Sequence, residues 1–330
     1  MATKIQTIEQ AVKDVGIVGK SLISINDLSD TQLYKLFELA KMLEPWNRSG
    51  LDLMKGQNLI TFFFQPSTRT RMSFETAMQR LGGTVVSEPT PMMSSASAKE
   101  ESLNDSMRVM SQYANVIVLR HFDADAATEA SKYSDCPVIN GGWGHREHPT
   151  QALLDLYTLW RTFGHVKGLK VAVTSPDLVK ARTGHSMAQG LARLGAKLYL
   201  VSRKDLRTPE PVMKKIQALS SDVEEVFDLE QDGFNKFAAD MDMIYLPGCS
   251  APAGADSEAF KKIMDDYYLR YETVMDSFEK GKGLYVTHTL PRRDGEMDLR
   301  IDNCPGELMF KGLAYSVSLR AALIAAIVGV

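Results

Sequence analysis

A chain of 330 residues exceeds what one ordinary hydrophobic core serves, so about two domains are expected. Its 44% hydrophobic and 24% charged residues are those of a soluble globular protein, and a formal charge of −3 argues against nucleic acid or an anionic membrane as partner. Three widely spaced cysteines, Cys136, Cys249 and Cys304, form no Cys-x-x-Cys pair, which argues against a disulfide framework and a structural zinc site. The N-terminal MATKIQTIEQAVKDV has no apolar signal-peptide core, and no apolar run is long enough to span a bilayer. The expected compartment is a reducing cytoplasm.

In chain order, Asn58–Phe64 reads as a covered strand that Gln65-Pro66 breaks. From Thr70 the apolar positions Met72, Phe74, Ala77, Met78 and Leu81 keep helical spacing, and Gly82-Gly83 stops that helix. Ser67, Thr68, Arg69, Thr70 and Arg71 therefore stand at a helix N-terminus beyond a strand end. Short hydroxyls, backbone N–H groups, the helix dipole and a guanidinium together make an anion site there, suited to phosphate. A strand (GTVVSE), a long polar loop over 91–105, a helix (101–114) and a strand (NVIVLRH) closed by Arg120-His121 follow. Two readings of that loop stand side by side: a mobile lid whose Ser95 and Lys99 cover a bound anion, or a disordered surface loop with nearly balanced charges.

The segment 140–160 carries a Gly-rich turn feeding a long helix that His148-Pro149-Thr150-Gln151 opens. A second series begins with the strand 167–175, then Arg182 ahead of a helix over 184–195, the strand 196–202, a helix from Pro209 and the strand 241–247. GLYVT precedes His288-Thr289-Leu290-Pro291-Arg292, and the C-terminal LRAALIAAIVGV reads as a packed helix. This alternation predicts an α/β protein of two doubly wound parallel-sheet domains with an inter-domain active-site cleft, since such sheets bind ligands beyond the carboxyl ends of their strands. A nucleotide-binding dehydrogenase would need Gly-x-Gly-x-x-Gly after the first strand of a unit, and neither NLITFFF nor KVAVTS is followed by one.

With Ser-Thr-Arg-Thr, Ser95…Lys99, Arg120-His121, His-Pro-Thr-Gln, DLVKARTGHS and His-Thr-Leu-Pro-Arg in this order, the chain resembles the aspartate/ornithine carbamoyltransferases, most closely the catalytic chains of the aspartate branch. The resemblance implies a domain over 1–145 that binds carbamoyl phosphate, completed by the C-terminal helix 308–330, and an amino-acid-binding domain over 146–307. It implies that carbamoyl phosphate rests on Ser67, Thr68, Arg69 and Thr70, with Arg120, His148 and Gln151 holding its carbamoyl end. Ser95 and Lys99 match lid residues that reach a neighbouring subunit's site, so a homotrimer with shared active sites is implied, with regulatory subunits as possible partners. Arg182 matches the group that holds the α-carboxylate, and Leu290 the carbonyl that positions the amine. Thr70, Arg120 and His148 are then the donors to the developing oxyanion, and Arg69 neutralises the leaving phosphate. No cofactor and no metal are implied.

Three departures bear on the amine substrate. Aspartate-specific members usually carry Arg-x-Gln where this chain has Gly248-Cys249-Ser250. The usual Pro is Thr289, and the usual Glu before the phosphate motif is Gln65. L-Aspartate, giving N-carbamoyl-L-aspartate for pyrimidine biosynthesis, is the first expectation, with Arg293 as the cation for its side chain. The alternatives are transfer to a different amino acid, because those carboxylate ligands are replaced, and an inactive regulatory relative.

Overall fold

A computed structural model describes residues 2–94, 100–123, 125–144, 147–249 and 257–330. Ser95, Lys99 and Ser250 lie outside the described residues. The elements run α1 (Ala2–Val15), α2 (Asp30–Leu43), β1 (Asn58–Phe63), α3 (Thr68–Arg80), β2 (Thr84–Glu88), α4 (Leu103–Ser111), β3 (Val116–His121), α5 (Ala126–Tyr133) and β4 (Val138–Trp143). After these come α6 (Pro149–Phe163), β5 (Lys170–Thr174), α7 (Arg182–Arg193), β6 (Lys197–Ser202), α8 (Glu210–Leu219), β7 (Val223–Phe227), α9 (Gln231–Ala238) and β8 (Met243–Leu246). The chain then forms α10 (Ser257–Asp266), α11 (Tyr271–Glu279), β9 (Tyr285–His288), α12 (Met309–Ala314) and α13 (Ser316–Val328). Contacts divide the chain into one unit of residues 1–150 with 314–330 and a second of 151–313.

The first unit holds a parallel sheet in the order β2-β1-β3-β4. β1 is buried along nearly its whole length, as a central parallel strand covered on both faces must be. Strand order runs outward from β1 to β2 and, in the other sense, to β3 and β4, so it reverses between β1 and β3. Phe63 pairs with Arg120 across that point, and Phe64 N–H donates to the Arg120 carbonyl at 2.8 Å. α13 is apolar on every side and buried from Ser316 to Ile327 apart from Val317, which fits its place against α2 and α3. Its buried Arg320 lies 5.3 Å over the Phe74 ring of α3, a cation–π contact inside the core.

The second unit holds a parallel sheet in the order β7-β6-β5-β8-β9, reversing between β5 and β8. Its core gathers Ala172, Val201, Phe234, Ile244, Leu269 and Val286. β8 and β9 are in register, with Leu246 opposite His288. No helix among the described residues is long and apolar enough to cross a membrane.

Two strands have no clear signal in the sequence. β4 carries Asn140-Gly141-Gly142 after a short Val138-Ile139 start and pairs with β3 through Val138, Ile139 and Asn140, while a Cβ at Gly141 would come within 3.1 Å of Val118. β7 reads VEEVF, a charged strand at the sheet edge that pairs with β6. Two helices begin two residues before their apolar periodicity: α3 at Thr68 and α7 at Arg182. First turns at ligand edges are polar, so periodicity misses them.

α13 is the element on which the first unit closes, and Ile324 within it is fully buried. Ile324→Ala should remove about 2–5 kcal/mol of stability and lower the first calorimetric transition by roughly 10 °C.

Candidate active site

In the first unit, β1 delivers the chain through Gln65-Pro66 to α3, whose N-cap is Ser67 in an extended conformation. Thr68, Arg69 and Thr70 form the first turn, whose N–H groups the helical ladder does not use. The Ser67 hydroxyl makes no capping bond to the helix, so it remains available to a ligand. Partial burial lowers the Arg69 guanidinium from its ordinary value, yet it stays cationic at neutral pH. Arg71 is engaged elsewhere: it reaches Glu75 at 3.1 Å and Ser87 at 3.0 Å, while Thr61 donates to the same carboxylate at 2.8 Å. Arg69, in the same first turn, is partly buried.

At the neighbouring strand end, Arg120 and His148 are both buried. Arg120 Nη1 donates to the Gly141 carbonyl at 2.9 Å and lies 3.3 Å from His148 Nε2. A guanidinium only donates, so Nε2 is the accepting nitrogen and Nδ1 carries the proton towards Thr150 Oγ1 at 3.5 Å. Gly142 makes the pair possible. Its φ is +106°, and a Cβ there would sit 2.7 Å from Arg120 Nη1 and 3.0 Å from His148 Cδ2. Asn140 pins this turn by accepting from Gly142 N–H and donating to the Ile23 carbonyl, both at 2.8 Å. His121 is turned away, its ring 4.5 Å from that of Phe64.

In the second unit, Gln151 lies at the start of α6 and donates to Asp155 Oδ1 at 2.9 Å. The buried Tyr245 hydroxyl donates to Asp155 Oδ2 at 2.8 Å, and burial together with that carboxylate raises the phenol. Arg182 opens α7 beyond the β5 end, where burial lowers its guanidinium without discharging it. Beyond β8 and β9 the polar groups centre on Glu296, which is 4% exposed. Its carboxylate accepts from Cys249 N–H at 2.6 Å, Arg293 N–H at 2.7 Å and His288 Nε2 at 2.8 Å. Burial opposes its ionisation, but these hydrogen bonds and His288 hold the carboxyl below its usual range. His288 Nδ1 accepts from Leu290 N–H at 2.7 Å, and Leu290 has a φ of +54°.

The departures from the aspartate pattern have structural counterparts here. The Thr289 hydroxyl donates to the Pro247 carbonyl at 2.9 Å, a bond proline cannot make. Arg293 is largely exposed, and its guanidinium donates to the Cys249 carbonyl. Arg292 forms a two-pronged pair with Asp302. Burial pushes the Cys249 thiol up, so it is not an activated nucleophile. Among the described residues no cluster of three or more His, Cys, Asp or Glu side chains is placed to hold a metal ion.

Ser67 to Thr70 thus share one turn, Arg120 touches His148, Gln151 stands three residues beyond it, and Arg182 and Leu290 stand at strand-end turns of the second unit. Sequence reasoning missed Gly142, Asp155, Tyr245 and Glu296. The glycine pair in NGGWG was the one readable trace; a glutamate eight residues after a histidine carries no periodic signal. Gly142→Ala should reduce kcat at least tenfold by displacing Arg120 and His148, while Arg69 and the Ser67–Thr70 turn still bind phosphate by calorimetry.

A family model described as aspartate/ornithine carbamoyltransferase, carbamoyl-P binding domain, matches residues 20–161, and its partner, the Asp/Orn binding domain, matches 167–327. The ureidoglycine carbamoyltransferase of Rubrobacter xylanophilus is 61% identical over 99% of this chain and 97% of its own. The aspartate carbamoyltransferase catalytic subunit of Methanocaldococcus jannaschii is 37% identical over 92% of this chain and 96% of its own. The aspartate transcarbamoylase of Trypanosoma cruzi in complex with N-(phosphonacetyl)-L-aspartic acid superimposes with a TM-score of 0.85 at 30% identity, covering 95% of this chain and 97% of its own. The phosphate-type helix N-terminus, the Arg120–His148 pair and these matches agree: the chain belongs to the aspartate/ornithine carbamoyltransferase family and is a carbamoyltransferase.

Proposed function

We propose that this enzyme transfers the carbamoyl group between carbamoyl phosphate and the amine of ureidoglycine, an α-amino acid whose α-carbon bears a neutral ureido group. The observation that carries this reading is the turn beyond β8. Gly248 and Cys249 stand against a buried carboxylate, Glu296, where an aspartate side chain would need a cation. The likeness to a ureidoglycine carbamoyltransferase over nearly the whole chain supports it. L-Aspartate is the second reading. It rests on relatives at lower identity and on Arg293, whose guanidinium reaches the Cys249 carbonyl.

On this proposal the first unit binds carbamoyl phosphate and the second the amino acid. Arg69 and the Ser67–Thr70 turn hold the phosphoryl oxygens. Thr70, Arg120 and His148, with Gln151, hold the carbamoyl end, and the lid residues Ser95 and Lys99 cover it. Arg182 holds the α-carboxylate, and the Leu290 carbonyl orients the neutral amine. The amine nitrogen attacks the carbonyl carbon, the oxyanion forms against Thr70, Arg120 and His148, and the C–O bond to phosphate breaks as the amine proton leaves with it. Each donor aimed at the oxyanion contributes roughly 10²–10³ in rate. A carbamoylated ureidoglycine carries two ureido groups on one carbon.

Released phosphate, measured with carbamoyl phosphate and a panel of ureidoglycine, aspartate, asparagine and ornithine, tests the assignment. Ureidoglycine should exceed aspartate in kcat/KM by at least tenfold; the reverse order would return the enzyme to the aspartate reading. Arg69→Ala should cut activity by more than about 10²-fold with an unchanged melting temperature. We further propose a homotrimer with shared sites. Mixing nearly inactive Lys99→Ala and His148→Ala proteins should restore partial activity after subunit exchange, and no recovery would mean that each site is built within one chain.

A further inference from the structure

Gln151 and Asp155 stand four residues apart in α6 and so share one face of that helix. Gln151 is half-buried and Asp155 buried. The Asp155 carboxylate accepts from Gln151 Nε2 at 2.9 Å through Oδ1 and from the Tyr245 hydroxyl at 2.8 Å through Oδ2. Tyr245 is wholly buried in β8, flanked across the sheet by Val173 of β5 and Thr287 of β9. Thr183 follows Arg182 in the first turn of α7, is buried, and hydrogen-bonds the phenol of Tyr245. These four side chains belong to the second unit.

This line of hydrogen bonds has a fixed polarity. A carboxylate only accepts, so the phenol gives its proton to Oδ2 and the Gln151 amide turns its nitrogen to Oδ1. The amide oxygen, Oε1, is thereby the end that Gln151 offers to a ligand. An amide free to turn over would offer NH₂ about as readily, since its two ends are close in size. The carbamoyl group poses the same choice. Its carbonyl oxygen accepts, its NH₂ donates, and half a turn about the ester C–O bond exchanges them at little steric cost. Thr70 and Arg120 are donors and suit the oxygen, whereas only an acceptor suits the NH₂. With donors on both sides neither sense would be favoured, and carbamoyl phosphate would also bind turned over, with its oxygen away from the groups that stabilise the oxyanion.

We propose that Asp155 is a positioning residue for the transfer: it holds the Gln151 amide with its oxygen towards the carbamoyl NH₂, so that carbamoyl phosphate binds with its carbonyl oxygen towards the donors. This rests on the reading that Gln151 meets the carbamoyl end. The bond from Tyr245 limits the freedom of the carboxylate to turn. Because Thr183 is the neighbour of Arg182, the same line joins the residue proposed for the carbamoyl end to the helix turn proposed for the α-carboxylate.

Carbamoyl phosphate and acetyl phosphate are the probe pair, since NH₂ and CH₃ are close in size and the phosphoryl ends are identical. Titration calorimetry without an amine keeps the identity of the second substrate out of the measurement. The wild type should bind carbamoyl phosphate about tenfold or more tightly than acetyl phosphate, and Gln151→Met should remove most of that preference. In Asp155→Asn, Tyr245 still donates to the residue at 155, whose new NH₂ then faces Gln151 and turns its amide over. The preference should be lost at least as fully as in Gln151→Met. Adding Gln151→Glu to Asp155→Asn supplies a group that accepts in every rotamer, and the preference should return. Inorganic phosphate should bind all four proteins equally. A wild type without the preference, an Asp155→Asn protein that keeps it while Gln151→Met loses it, or an equal loss of inorganic phosphate binding in Asp155→Asn would reduce Asp155 to an anchor of α6 and overturn the proposal. Should Asp155→Asn alone fail to fold, a folded double variant without the preference overturns it as well. Gln151→Met with the wild-type preference would instead remove Gln151 from the carbamoyl end, and the role of Asp155 with it.

Discussion

In each parallel sheet the strand order reverses once, between β1 and β3 in the first unit and between β5 and β8 in the second. At such a point the two connecting segments leave the sheet in opposite directions and cannot cover the strand ends between them. The polar groups of both half-sites occupy these uncovered edges. α3 and Arg120 stand at the first, α7 and the Gly248 turn at the second. The central strands of these parallel sheets are buried and apolar, so the chemistry is confined to the turns beyond them.

Those turns put charged groups where water is scarce, and each is stabilised by a local device. Arg120 and His148 share a bond that needs a neutral imidazole acceptor, and they fit because Gly142 has no side chain. Glu296 remains ionised in a buried position because three donors converge on it. A buried ion left without such partners would cost several kcal/mol, so each cluster behaves as a unit. The two differ in sign. On the proposed function Arg69 and Arg120 of the first unit serve a phosphate ester, whereas the turn after β8 in the second gathers its donors around an anion, Glu296. That difference separates the neutral-side-chain reading from the aspartate reading.

The replacements at 248, 249 and 289 also act together. Thr289 binds the Pro247 carbonyl, Arg293 binds the Cys249 carbonyl, and Glu296 binds the Cys249 N–H, so the described part of the turn after β8 is held by three groups from the segment following β9.

The phosphate-type motif, the α/β alternation and the strand-end positions of Arg120, His148, Arg182 and Leu290 are properties of short stretches, and the amino-acid sequence by itself determined them. Periodicity reports burial, and Gly and Pro report turns, both within a few residues. β4 and β7 escaped because one contains a glycine pair and the other is a charged edge, and both are strands only by virtue of a neighbour's hydrogen bonds. The accepting nitrogen of His148, the bond of Arg71 to Ser87 and the bond of Glu296 to the Cys249 N–H were decided by the tertiary structure alone. Each joins residues far apart in the chain, and a side chain's protonation and donor pattern follow from partners that no local sequence window contains.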